Sequence, residues 1–250
     1  MTKDAEGVWV VGYGSLIYKP PPCWKYMVNG ILHGFLRRFW QSSIDHRGTP
    51  KSPGRVATLI PYSEIIQNEA FKKDLDEKKT REVSTGHDLQ LLARAYYIPP
   101  EHVQSVTEYL DVREQNGYTA HKIHIHLEPP RNEPKELQEL LNKLPVDEVT
   151  GKHILVSMVY IGTSDNEAFI GPENIQDTAS VIAFNEGPSG PNYEYLKLLH
   201  DSLIQMANQI GKPLEDIEDS YLDSLVECTE SIRSNKNMKP HSDSKSTSVT

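Results

Sequence analysis

Apolar and polar positions change period along this chain, and each change marks an element. Residues 8–11 are an unbroken apolar run of strand length, which predicts a buried strand near the start. Residues 26–32 and 35–40 predict two more extended segments around His33-Gly34, and 56–60 and 91–98 two further strands. Between 118 and 127 the pattern alternates: Ile123, Ile125 and Leu127 share one face, and Lys122, His124 and His126 share the other. Residues 153–160 form another apolar strand. Val103, Val106 and Leu110 fall at helical spacing after Pro99-Pro100-Glu101, so a helix is predicted that ends near Glu114, with Gly117 just beyond. Leu137, Leu140, Leu141 and Leu144 give an amphipathic helix, and 172–184, 192–210 and 214–228 are helical in character. Early strands followed by late helices indicate an α+β fold rather than regular alternation.

The remaining segments are polar. Residues 41–54 are rich in Gly, Pro and Ser and read as a loop, long for a connector and therefore a candidate wall of a site. Residues 72–88 are charged and poor in apolar side chains, which predicts a surface insertion. Residues 231–250 are Ser-, Lys- and Asn-rich and predict a disordered tail. The expected organisation is a short N-terminal extension (1–7), one domain (8–230) carrying the 72–88 insertion, and the tail (231–250).

Charge and cysteines narrow the function classes. Against 26 Lys and Arg stand 35 Asp and Glu, a formal net charge of −9, which argues against nucleic acid as the main partner because that binding rests on clustered cations. An anionic small ligand remains open through local arginines. The start has no apolar signal region and no stretch approaches the ~20 apolar residues that span a bilayer, so no membrane association and a cytoplasmic location, with nuclear access open, are expected. Cys23 and Cys228 are the two cysteines and define neither a disulfide framework nor a cysteine zinc site.

Candidate chemistry lies in two places. The loop Gly12-Tyr13-Gly14-Ser15-Leu16-Ile17 follows the first strand, and its glycines allow backbone amides to face a ligand. It is a poor dinucleotide site, because Ile17 stands where the third glycine belongs and Pro20-Pro21-Pro22 interrupts the expected helix. The second place is the run Tyr109-Leu110-Asp111-Val112-Arg113-Glu114-Gln115-Asn116-Gly117-Tyr118, whose carboxylates offer acid/base chemistry. His124 and His126 lack a visible third metal ligand, and Asp45-His46 lacks a nucleophile in a recognisable setting. Arg37, Arg38, Arg47 and Arg55 flank the polar loop and could complement a substrate carboxylate or form ordinary salt bridges.

These motifs, in this order, carry a resemblance. Gly12 to Ile17, Arg37-Arg38-Phe39-Trp40-Gln41, Asp45-His46-Arg47-Gly48, Pro53-Gly54-Arg55-Val56, Tyr109-Leu110 with Arg113-Glu114 and Gly117-Tyr118, Tyr160-Ile161-Gly162, and Gly187-Pro188-Ser189-Gly190 with Asn192 and Tyr195-Leu196 resemble the ChaC family of glutathione-specific γ-glutamylcyclotransferases. The similarity runs from about Val8 to the helix after Asn192. Tyr18 stands where the family often has tryptophan. The resemblance implies a β-barrel-like mixed sheet surrounded by helices, glutathione as substrate, no cofactor and no metal. It also implies Glu114 as general acid/base and a substrate loop at Gly12, Tyr13, Gly14, Ser15, Leu16 and Ile17. Arg38, Arg47, Tyr118 and Tyr195 are then candidates for holding the substrate's carboxylates and Cys-Gly limb. Two other functions stay open: a cyclotransferase for other γ-glutamyl amino acids or amines, and a γ-glutamyl-binding module without chemistry. Oligomeric state stays open as well.

Overall fold

The computed structural model describes residues 6–79, 81–113, 118–212, 214–217 and 220–237. The apolar runs become β1 (Val8–Gly12), β2 (Tyr26–His33), β3 (Phe35–Ser43) and β4 (Gly54–Pro61), followed by the helices α1 (Tyr62–Ile65) and α2 (Glu69–Lys78). Next come β5 (Gln90–Ile98), α3 (Val103–Arg113), β6 (Thr119–Glu128), α4 (Lys135–Leu141) and β7 (Ile154–Ile161). The chain closes with α5 (Ile175–Phe184), the two-residue strands β8 (Glu186–Gly187) and β9 (Gly190–Pro191), α6 (Asn192–Ile210) and α7 (Ser220–Asn237).

Five strands pair antiparallel in the order β1-β5-β2-β6-β7, and the sheet curls until its outer strands β1 and β7 come into contact. No ladder joins those two edges. Side chains bridge them instead: the Ser157 hydroxyl donates to the Trp9 carbonyl at 2.8 Å, and the Tyr13 hydroxyl to the Tyr160 carbonyl at 3.0 Å. The result is a nearly closed barrel surrounded by helices, the architecture the resemblance implied.

Alternation fills its lumen, because every second side chain of a strand points the same way. Val11, Val28, Leu32, Ala93, Ile123, Ile125, Leu155 and Val159 meet inside, and Leu137 and Leu141 of α4 join them. Outside, α5, α6 and α7 cover Ile31, Phe39 and Leu92. Tyr195, Leu199, Leu203 and Met206 form the buried stripe of α6, which ends at Gly211 in the left-handed region at φ 71°. On another flank, α3 packs Val106 and Leu110 against Leu16, Tyr96 and Ile98.

Three boundaries differ from those expected. β3 continues through Ser43, so the polar loop begins later; a register shift between Arg38 and Gln41 lets the strand carry polar residues. The charged stretch 72–88 is no loose insertion. Part of it is α2, capped by the Asn68 side chain, with Phe71 and Leu75 buried against Trp40 and Asp74 buried in an ion pair with Arg38 at 2.7 Å. Three apolar positions in ten, one of them alanine, are too few for a periodicity argument, and the buried carboxylate reads as surface until its partner is known. Finally, α7 runs to Asn237, past the expected start of the tail. Leu225, Thr229 and Ile232 follow one helical face onto the core, and Arg233 donates to the Ala183 carbonyl at 2.7 Å. Residues 238–250 lie outside the described residues.

Candidate active site

At the end of β1 the chain turns where only a hydrogen side chain fits: a methyl group on Gly12 would lie 2.4 Å from Leu16 Cβ. Ser15–Ile17 then form a single 3₁₀ turn. The carbonyls of this loop are tied down from the protein interior. Arg37, itself fully buried, donates through Nε to the Tyr13 carbonyl at 2.9 Å and through Nη2 to the Leu92 carbonyl. The Tyr96 hydroxyl donates to the Leu16 carbonyl at 2.7 Å, and Arg94 to the Ile17 carbonyl at 2.8 Å.

That arrangement orients the amides. In a trans peptide the C=O of one residue and the N–H of the next point in opposite directions, so anchoring the Tyr13 carbonyl inward turns the Gly14 amide the other way. The first donor of the 3₁₀ turn is Ile17, to the Gly14 carbonyl at 3.0 Å, so the Ser15 and Leu16 amides precede any intrahelical acceptor. Successive amides without an intrahelical acceptor can cradle an anion.

The C-terminus of α3 is fastened to the same loop. Arg113 donates through Nη2 to the Ser15 hydroxyl at 2.7 Å and through Nη1 to the Lys19 carbonyl at 3.3 Å. Glu114, together with residues 115–117, lies outside the described residues. Arg113 and Tyr118, which flank that run in the chain, both line a cleft of about 950 Å³ that also takes in the glycine loop.

One end of the cleft is polar, with Lys19, His46, Arg47, Ser189 and Tyr195. Its wall comes from the polar loop, held where Gly187 lets two backbones touch: a Cβ there would meet the His46 carbonyl at 2.3 Å. Arg47 is buried, donates to the Pro191 carbonyl at 3.0 Å and to Glu194 at 2.8 Å, and sits 5.8 Å from the Tyr195 ring centroid. The Tyr195 hydroxyl accepts from the Ala57 amide at 3.2 Å and closes on Gly14, where an added Cβ would be 3.0 Å away. Tyr18 stands beside them, its hydroxyl buried with no hydrogen-bond partner among the described residues. Burial pushes its pKa well above the usual phenol range, Tyr195 adds to the shift, and the Arg47 guanidinium opposes it. From the loop the cleft continues the other way, along the seam between β1 and β7.

A family model described as "ChaC-like protein" matches residues 8–232. The chain belongs to the ChaC family. The glutathione-specific gamma-glutamylcyclotransferase of Saccharomyces cerevisiae is 53% identical over 234 residues, covering 93% of this chain and 100% of that one. The protein of that name in Schizosaccharomyces pombe is 38% identical over 199 residues, 78% of this chain and 82% of its own. The crystal structure of a selenomethionine-labelled, glutathione-specific gamma-glutamyl cyclotransferase from yeast superposes with a TM-score of 0.85 at 51% identity, covering 92% of this chain and 98% of that chain.

Within this ChaC fold the expected site residues divide. Gly12, Tyr13, Gly14, Ser15, Leu16, Arg47, Tyr118 and Tyr195 all line the cleft. The Tyr13 ring also packs into the barrel core. Ile17 does not line the cleft; a side chain at the end of a 3₁₀ turn points back into the core, where it is 1% exposed. Arg38 is not in the cleft either, because the outward face of β3 at that position meets α2 and α7: it pairs with Asp74 and stacks 4.6 Å from the Tyr221 ring centroid. Arg55 is held by both oxygens of Glu173 at 2.8 Å. The sequence reading did not anticipate the anchoring by Arg37, Tyr96 and Arg113. A buried cation flanking a loop in space leaves no spacing signal in sequence.

Proposed function

We propose that this chain cleaves glutathione by intramolecular cyclisation of its γ-glutamyl unit, releasing 5-oxoproline and Cys-Gly. The reading is carried by 53% identity, across the whole length of the relative, to a glutathione-specific gamma-glutamylcyclotransferase, in a chain that keeps an amide-lined loop at one cleft. The α-amine of the γ-glutamyl unit attacks the γ-carbonyl carbon, a five-membered ring closes, and the amide bond to cysteine breaks. Both reacting groups belong to one molecule, so holding the folded conformer supplies much of the acceleration.

Three tasks fall to the protein. The Gly14, Ser15 and Leu16 amides receive the charge that grows on the γ-carbonyl oxygen, and each such donor is worth about 2.7 to 4 kcal/mol in comparable sites. Arg47 and Tyr195 hold the carboxylate of the γ-glutamyl head, and Tyr118 holds the leaving limb. Glu114 takes a proton from the ammonium and returns it to the departing nitrogen. A carboxylate at its ordinary pKa of ~4.3 facing an α-amine near ~8 carries roughly 5 kcal/mol of mismatch, and withdrawal from water raises the carboxylate and narrows that difference.

The test is 5-oxoproline release from glutathione, γ-Glu-Cys and γ-Glu-Ala. Turnover of glutathione alone or far ahead of the others is expected, and a preference for γ-Glu-Ala overturns the substrate assignment. Glu114→Gln is expected to abolish turnover while calorimetry still detects glutathione binding; retained turnover removes Glu114 from the role.

A further inference from the structure

The cleft is larger and less polar than glutathione requires. At about 950 Å³ it stands at the top of the ~300–1,000 Å³ range of small-molecule sites. Its polar end, around Arg47 and Tyr195, suffices for the γ-glutamyl head. Beyond the glycine loop it runs between the unladdered edges of β1 and β7, where Val8, Val10, Leu155, Val156 and Met158 line it. At the rim, Val8 is 37% exposed, Val112 68% and Met158 53%, a concentration of apolar side chains in water at the mouth of a site. Glutathione offers these surfaces little more than one thiomethylene group.

Resting on the reading of this site as a glutathione cyclotransferase, we infer that the enzyme also degrades glutathione S-conjugates bearing an apolar substituent, with that substituent lying along the β1–β7 seam. The occupant follows from continuity. With the γ-carbonyl at the Gly14–Leu16 amides and the head toward Arg47, the leaving cysteine limb extends away from Arg47, toward the seam, so the group on its sulfur meets the apolar walls. The chemistry is unchanged: the α-amine forms the new C–N bond, the amide C–N bond breaks, the ammonium proton ends on the leaving nitrogen, and the thioether takes no part. The products are 5-oxoproline and the S-substituted Cys-Gly.

The experiment measures kcat and KM for glutathione and its S-methyl, S-butyl and S-hexyl derivatives, quantifying 5-oxoproline and the S-substituted dipeptide. KM is expected to fall along the series by roughly fourfold per methylene that enters the seam, with turnover retained. Met158→Asp, at the exposed rim, is expected to erase that dependence while unmodified glutathione is processed as before. Failure of glutathione itself to react overturns the proposed function. Reaction of glutathione with none of the S-alkyl series, or tight S-hexyl binding without product, overturns the inference alone. Persistence of the chain-length dependence in Met158→Asp also counts against the seam.

Discussion

Arg37 is the residue on which the substrate loop's geometry turns. It is 1% exposed, and its guanidinium donates to the carbonyls of Tyr13 and Leu92, one in the loop and one in the sheet beneath it. A neutral side chain of similar size would leave two buried carbonyls unsatisfied, at about 1–3 kcal/mol each. Arg37→Leu is therefore expected to lower unfolding free energy by about 2–5 kcal/mol in urea titrations and to reduce kcat through a loosened loop. Wild-type stability in that variant would show that the anchor is idle. Neighbouring Arg38 has the same charge and a different task, because successive strand residues face opposite sides of the sheet. The sequence placed both arginines beside the polar loop 41–54; strand phase turned Arg37 onto the glycine loop and Arg38 onto α2 instead, and neither became a cleft residue.

At the scale of elements, α2 shows how a charged segment is held in a core. Asp74 and Arg38 are 2% and 3% exposed at their side chains, and Lys78 also pairs with Asp74. Burial draws the Lys78 ammonium down to about 8, with Arg38 adding to the shift, so one carboxylate serves two closely spaced cations. Asp74→Ala is expected to cost about 3–5 kcal/mol, since a buried cation is left uncompensated, whereas Arg38→Met combined with Asp74→Leu should recover most of it. Matching denaturation midpoints for the single and double variants would remove the pair from the account. The strands were legible because β6 alternates with period two and β1 and β7 are apolar runs of strand length. The 72–88 segment was not, because an ion pair between residues 36 positions apart cannot be read from one helix's composition, and α7 was cut short because Ile232 is a lone apolar residue until its helix has a surface to meet.

At the scale of the whole molecule, acid is expected to weaken the fold before carboxylates titrate. His33, at the end of β2, has its ring centroid 4.8 Å from that of His126 on β6 and 5.4 Å from that of His87. Burial holds the pKa of His33 below its ordinary value against the opposing hydrogen bond to the His87 carbonyl, with the charges of His126, His87 and Lys212 adding to the fall; burial also lowers His126, where Lys152 and His87 add and Asp147 and Glu128 oppose. The unfolded chain therefore takes up these protons first, near pH ~6.5, and stability falls as pH drops through that value. Melting temperatures at pH 7.5 and 5.5 should differ, and His33→Gln should narrow the difference; an unchanged gap would assign the acid sensitivity elsewhere. By itself, the sequence determined most of the strand and helix inventory, the two helices after β4 excepted, because hydrophobic period is a local property, and it determined the ordered motifs that mark a ChaC chain. Only the tertiary structure decided that β1 and β7 meet without a ladder, that Arg37, Tyr96 and Arg113 converge on one six-residue loop, and that the resulting cleft runs on into an apolar seam. Each of these depends on residues far apart in the chain being brought together by burial and hydrogen bonding, which no local pattern encodes.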